Sequence, residues 1–287
     1  TGIHMMFNFW VNQHLFYALA SGDVRPLAKA LRETRSIPRT AQWTQFLRNH
    51  DELDLGRLTD VQRRAVFDAF APDDDMQLYG RGIRRRLAPM LGGDPDLLRL
   101  AHSLLFTLPG TPVIRYGQEI GMGEDLSLEE RNAVRTAMQW TDGPNGGFSE
   151  APPDRLARPA IASGPFAYDK VNVEAQQRDP ASLLAWIERA IQARKRCPEL
   201  GRGDLRILET DQPAVLGHAA TFEGGTMVAV HNLGETPVTV RVDLSGIDGE
   251  ELMDQLGEPS VRALADELEL ELERYGFRWY RVRQDAR

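Results

Sequence analysis

The sharpest chemical signal in the chain is the string Phe46-Leu47-Arg48-Asn49-His50-Asp51-Glu52-Leu53. An apolar strand that runs straight into a His-Asp pair sets both side chains at the strand's C-terminal mouth, where parallel α/β enzymes keep their sites. The plain alternative is a helix N-cap, with Asp51 capping the next helix and His50 lying on the surface. Composition alone favours the cap.

Other reactive residue types carry weaker signals. His4, His14, His102, His218 and His231 lack metal-ligand spacing such as His-Glu-x-x-His, so they read as structural or surface histidines, and no metal or cofactor is implied. Arg81, Arg84, Arg85 and Arg86 follow the acidic Asp73-Asp74-Asp75 and read as a salt-bridged or solvated helix face rather than a phosphate site. Trp10, Trp43, Trp140, Trp186 and Trp279 are of a type that stacks on sugar rings, but packing is their default role. Cys197 has no recognisable base partner and reads as inert. A single cysteine excludes an internal disulfide and a thiolate metal cluster, which fits a cytoplasmic protein.

The elements that would position the His-Asp pair alternate between strand and helix. Met5 to Phe9 is a short apolar strand, followed by helix over Asn12 to Ala20 and Pro26 to Arg35. Thr44 to Leu47 is a second strand, followed by a charged helix over Asp60 to Phe70. Arg81 to Leu91 and Pro95 to Phe106 read as further helix, and Thr111 to Tyr116 as a buried strand between Pro109-Gly110 and Gly117. That order belongs to a parallel α/β sheet. Glycine and proline crowd Thr136 to Asp179, a long irregular loop, and a helix follows over Ala181 to Lys195. Beyond Cys197 the period changes to two. Val215 to Phe222 and Met227 to Asn232 form a hairpin around Glu223-Gly224-Gly225, and Val238 to Leu244 and Phe277 to Val282 are further strands of a small antiparallel domain.

With 42% hydrophobic and 26% charged residues, the composition is that of a globular protein, which excludes disorder as the main state. The net charge of −8 disfavours unspecific binding to nucleic acid or anionic membrane. No apolar run approaches a bilayer span. Thr1 is not an initiator methionine and no leader pattern follows it, so the chain reads as processed or as a piece of something longer. Three parallel strands cannot close a barrel, which needs eight. No glycine-rich phosphate loop follows the first strand to support a dinucleotide fold instead.

The string from Phe46 to Leu53 resembles the seventh-strand motif of the α-amylase family, glycoside hydrolase family 13. Met5-Met6-Phe7-Asn8-Phe9 is similar to that family's sixth strand, and Pro109 through Arg115-Tyr116-Gly117-Gln118-Glu119-Ile120-Gly121-Met122 to its eighth. Arg135-Thr136-Ala137-Met138-Gln139-Trp140, Asn145-Gly146-Gly147-Phe148-Ser149 and Val171 to Gln176 resemble signatures of the α-glucosidase and trehalose synthase branch. Within that branch, Phe46 to Leu53 and Gly82 to Pro89 look most like trehalose synthase. Two positions depart from the pattern: Gln118 stands in place of an acid and Ala137 in place of a proline.

The resemblance implies an α/β fold: the last three strand-helix units of a TIM (β/α)8 barrel over residues 1–200, then a small antiparallel β-sandwich over 201–287. It implies an enzyme that interconverts maltose and trehalose by a retaining mechanism, or hydrolyses α-glucosides when water intercepts the intermediate. It places the family's third catalytic carboxylate, the transition-state stabiliser, at Asp51. His50 is then a hydrogen-bond donor to the same sugar, and Arg135 orients the sugar or a carboxylate, with a purely structural ion pair the equal alternative for Arg135. The nucleophile and general acid follow the fourth and fifth strands, which precede this sequence, so the chain alone is expected to be inactive. A non-catalytic carbohydrate-binding remnant is the competing class. A third expectation is that strands left unpaired favour a homo-oligomer.

Overall fold

The computed structural model describes residues 2–38, 40–257 and 260–283. In chain order the first elements are β1 (Met5–Phe7), α1 (Phe9–Ser21), α2 (Arg25–Thr34), β2 (Gln42–Phe46), β3 (Leu53–Asp54), α3 (Asp60–Phe70), β4 (Gln77–Leu78) and β5 (Gly82–Ile83). Then come α4 (Leu87–Met90), α5 (Pro95–Thr107), β6 (Thr111–Val113), α6 (Val173–Arg178), α7 (Leu183–Lys195) and α8 (Glu199–Arg202). The chain closes with β7 (Asp204–Leu208), β8 (Val215–Phe222), β9 (Gly225–Asn232), β10 (Val238–Asp243), β11 (Glu251–Asp254), β12 (Val261–Ala263), β13 (Glu267–Leu272) and β14 (Phe277–Arg283). No helix among the described residues is long and apolar enough to cross a membrane.

The chain divides into two compact units, one of Thr1–Gln45, Leu100–Pro112 and Arg189–Arg287, the other of Phe46–Arg99 and Val113–Glu188. In the first unit, three strands form a sheet in the order β1-β2-β6, with β1 parallel to β2. Local chemistry sets the boundaries. The Asn8 side chain accepts from the Val11 N–H to start α1, and Gly22, in the left-handed region, ends it. Gly110 has φ +113°, and a β-carbon there would lie 2.3 Å from the Trp43 carbonyl oxygen, so only glycine brings the chain this close to β2. Met5, Met6 and Phe7 are all exposed on the edge strand β1.

The same unit holds a six-stranded sheet, β12-β11-β14-β9-β8-β7, and a two-stranded sheet, β10-β13. Both contribute to one core, with Val228, Val230 and Tyr280 from the larger sheet packed among Val240, Leu268 and Leu270 from the smaller. Strand β13, Glu-Leu-Glu-Leu-Glu-Leu, alternates exposed glutamates with buried leucines.

A fully buried polar cluster joins α5 to this sheet. Trp279 Nε1 donates to Ser103 Oγ at 2.8 Å, and Ser103 Oγ lies 2.9 Å from His231 Nε2. Indole is a donor only, and the serine oxygen keeps a second lone pair, so Ser103 can either donate to or accept from His231 Nε2. The Thr107 hydroxyl donates to the Ser103 carbonyl at 2.9 Å, so it accepts from His218 Nε2, 3.3 Å away. Nε2–H is therefore expected on His218. Long-range ¹⁵N-¹H spectra read it directly, and an Nδ1–H tautomer on that ring would refute the assignment.

In the second unit, α3 begins with a reciprocal capping box between Thr59 and Gln62. Thr59, not Asp51, is its cap, which removes the N-cap reading of Asp51. The helix expected over Arg81 to Leu91 is corrected. Gly82–Ile83 is the central strand of a small antiparallel sheet, β3-β5-β4, and helix is confined to α4. Arg84 and Arg85 are half-buried and Arg86 is buried, where a salt-bridged or solvated helix face was expected. The glycine- and proline-rich stretch is irregular but pinned. Buried Gln139 donates to the carbonyls of Phe166 and Val171, and Asn145 donates to those of Ser149 and Ala151.

Candidate active site

The candidate site lies within the second unit and starts where β2 ends. Asn49 Oδ1 accepts the Asp51 N–H at 2.8 Å, folding the chain into a tight turn just past the strand. Arg48, only 3% exposed, locks that turn from inside, with Nη2 donating to the Asp51 carbonyl at 2.8 Å and Nε to the Arg85 carbonyl at 2.8 Å. The backbone beneath Asp51 is therefore fixed by buried bonds, while its side chain stays about one-third exposed.

Arg135 closes the arrangement from a segment 84 residues away. Its Nη2 donates to Asp51 Oδ1 at 2.7 Å and its Nε to the His50 carbonyl at 2.8 Å. The three residues singled out in the sequence thus meet, with His50 Nε2 3.6 Å from Asp51 Oδ2. Arg135 follows the 3₁₀ turn Glu130–Val134, which also presents Arg131. Arg131 stands 3.5 Å from Asp51 and pairs with Glu52 at 2.7 Å. Hydrogen bonding to Glu52 holds the Arg131 guanidinium above its ordinary pKa. These pairs are partly solvated, so they contribute little to stability. Their weight lies in orienting Asp51, whose oxygen faces two guanidinium groups.

Behind this layer, Arg115 Nη1 donates to the Asn49 carbonyl at 2.9 Å and Tyr116 Oη to the Thr136 carbonyl at 2.7 Å. Segments following β2 and β6 are thereby tied to the Arg135 loop. Glu124 accepts from Arg85 Nε at 2.9 Å and from the Arg86 N–H at 2.9 Å, and burial raises its carboxyl pKa above the ordinary range. Arg131, Arg48 and Arg115 escaped the sequence reading as site residues. The spacing of Arg131 four residues before Arg135 was the one signal that could have found the first of them. Trp140, at 48% exposure, and Phe148, at 54%, are aromatic rings of this segment open to solvent.

A carboxylate in this setting can stabilise positive charge and accept hydrogen bonds from hydroxyl groups, and an exposed imidazole beside it can donate one. Cys197 is buried, and burial followed by the nearby Glu199 pushes its thiol up to about 11, consistent with inertness. Among the described residues no group of three or more His, Cys, Asp and Glu could hold a metal ion.

Comparison with known proteins bears on this geometry. Residues 84–203 match the family model "Alpha amylase, catalytic domain", and residues 224–281 match "Sucrose hydrolase-like, C-terminal domain". Trehalose synthase of Thermus thermophilus is 41% identical over 249 residues, which cover 86% of this chain and 26% of that protein. Trehalose synthase of Pimelobacter sp. is 38% identical over 284 residues, covering 97% of this chain and 49% of that protein. The chain belongs to the α-amylase family. Its fold likeness to the family extends to solved structures: the α-amylase of H. orenii superposes with a TM-score of 0.67 at 20% identity, over 98% of this chain and 49% of that one. This α-amylase-family chain spans about half the length of the Pimelobacter relative, or less in the Thermus one. The α/β character of the fold and the terminal β-sheet domain agree with the sequence expectation.

Proposed function

We propose that this chain is the C-terminal part of a trehalose synthase-like enzyme, with residues 1–200 supplying the last three strand-helix units of a (β/α)8 barrel and 201–287 a β-sandwich. Its substrates are small α-glucosides, maltose and trehalose, and its setting is the cytoplasm. Asp51 stabilises the positive charge that develops on the sugar ring in a retaining, oxocarbenium-like transition state. His50 donates to a hydroxyl of that sugar, and Arg135 holds the Asp51 carboxylate in place. The nucleophile and general acid come from polypeptide outside this sequence. The observation that carries this reading is the Arg135–Asp51 bond of 2.7 Å beside a His50 side chain that is 72% exposed. A charged group oriented by the protein yet open to solvent is arranged for a ligand.

The polypeptide alone is expected to give no turnover of maltose, trehalose or nitrophenyl α-glucoside above a blank. Turnover that disappears in Asp51→Asn would overturn the split of catalytic groups. In a longer chain that supplies both missing carboxylates, Asp51→Asn is expected to lower kcat by roughly 10²–10³-fold. Free glucose released in place of the isomeric disaccharide would mark an α-glucosidase-type hydrolase instead. Affinity for maltose by calorimetry, with no turnover in either chain, would mark a non-catalytic remnant.

A further inference from the structure

Behind the Asp51 layer three guanidinium groups interlock through backbone carbonyls. Arg48 is bonded to the carbonyls of Asp51, Ile83 and Arg85, Arg115 to that of Asn49, and Arg86 Nη1 to that of Tyr116 at 3.0 Å. Each arginine thus holds a residue beside another member of the group. The Tyr116 ring lies under two of them, 5.1 Å from the Arg86 guanidinium carbon and 5.0 Å from that of Arg115. Arg48 Nη1, Arg86 Nε and Nη2, and Arg115 Nε are buried and make no hydrogen bond. Arg48 and Arg86 are each 3% exposed.

The neighbouring carboxylates are engaged elsewhere. Glu124 takes Arg85, Asp51 takes Arg135 and Glu52 takes Arg131. Glu119 also lies near Arg86, and none of these carboxylates hydrogen-bonds the free guanidinium nitrogens. Burial, and then the charge of Arg115, hold Arg48 down to about 9 and Arg86 to about 10. Even so, both stay charged at neutral pH. A buried charge without an opposite partner is costly, and arginine cannot escape that cost by losing its proton. A forked guanidinium matches a carboxylate with two parallel N–H donors.

We propose that Arg48, Arg86 and Arg115 form a receptor for a carboxylate group, a site distinct in chemistry from one for neutral glucosides. Two sources supply that group: a free small organic acid, or an acidic side chain of another polypeptide segment. The inference does not depend on the proposed activity.

Thermal melts of the full chain at pH 7.5 test it, with sodium acetate titrated against sodium chloride at matched ionic strength and N-acetyl-aspartate amide as the peptide-like carboxylate. A saturable rise in Tm beyond that in chloride is expected, with a half-point on the order of millimolar. Acetate acting at least as well as the amide identifies the free acid as the source. The amide acting at about tenfold lower concentration identifies an acidic side chain. Arg115→Gln should weaken the effect roughly tenfold or more, while Arg81→Gln, whose side chain is 53% exposed, should leave it unchanged. No carboxylate effect beyond that of chloride in the wild-type chain overturns the proposal, even if Arg115→Gln fails to fold. So does an undiminished effect in Arg115→Gln.

Discussion

Acidification from pH 7.5 to 4.5 is expected to destabilise the first unit through His218 and His231. Burial pushes His218 down to about 4 from its ordinary 6.5, and burial together with the adjacent His218 pushes His231 well below its ordinary value. The two rings stack with centroids 5.8 Å apart and planes within 5°. Both are neutral in the folded state. Between pH 6.5 and 4 the unfolded chain binds more protons than the native one, so stability is full above 6.5 and falls as the pH drops through that window. His218 alone accounts for about 3 kcal/mol by pH 4, and His231 adds to it. Urea melts across this range should show the decline in the wild type and a flatter profile in the His218→Gln/His231→Gln variant. Parallel profiles would refute the assignment.

Arg85→Ala is expected to cost about 3–5 kcal/mol, because it strips a buried carboxylate of its charged partner. Glu124 is 5% exposed and Arg85 15% exposed, with 2.9 Å between them. Arg85 also donates to the Phe70 carbonyl at 3.1 Å, which ties the end of α3 to the same point. Burial already raises the Glu124 carboxyl, and without Arg85 it rises further. A raised carboxyl binds its proton in the folded state, so the deficit relative to wild type should be largest at pH 7.5 and shrink as the pH falls. Adding Glu124→Gln to Arg85→Ala should restore part of the loss, since a neutral amide is cheaper to bury. A cost below about 1 kcal/mol that does not change with pH would show the pair to be peripheral.

The strands and helices were legible where period and punctuation agreed. Thr59-x-x-Gln62 marks the start of α3 and Glu223-Gly224 the turn of the β8–β9 hairpin. Strand β13 escaped notice although its glutamates and leucines alternate strictly, because both residues favour helix and propensity obscures period. The run Arg84-Arg85-Arg86 looked like a salt-bridged or solvated helix face by its charge. The carbonyls of Leu126 and Leu128 take Arg84 instead, while Glu124 takes the Arg85 side chain and the Arg86 N–H. All of these partners lie some 40 residues downstream, beyond any local window.

Asn49, His50 and Asp51 are covalent neighbours, so the order of residue types alone places an imidazole and a carboxylate on one turn after a strand. The family likeness rests on such short strings, and so does the expectation of a sugar site. Which groups face Asp51 is a matter of tertiary structure. Arg135 and Arg131 reach it from a distant 3₁₀ turn, and Arg48 turns inward to hold the backbone beneath it. A sequence states how many charges there are, but the strength and even the sign of their effect depend on distance and burial, and both arise only when the chain closes on itself.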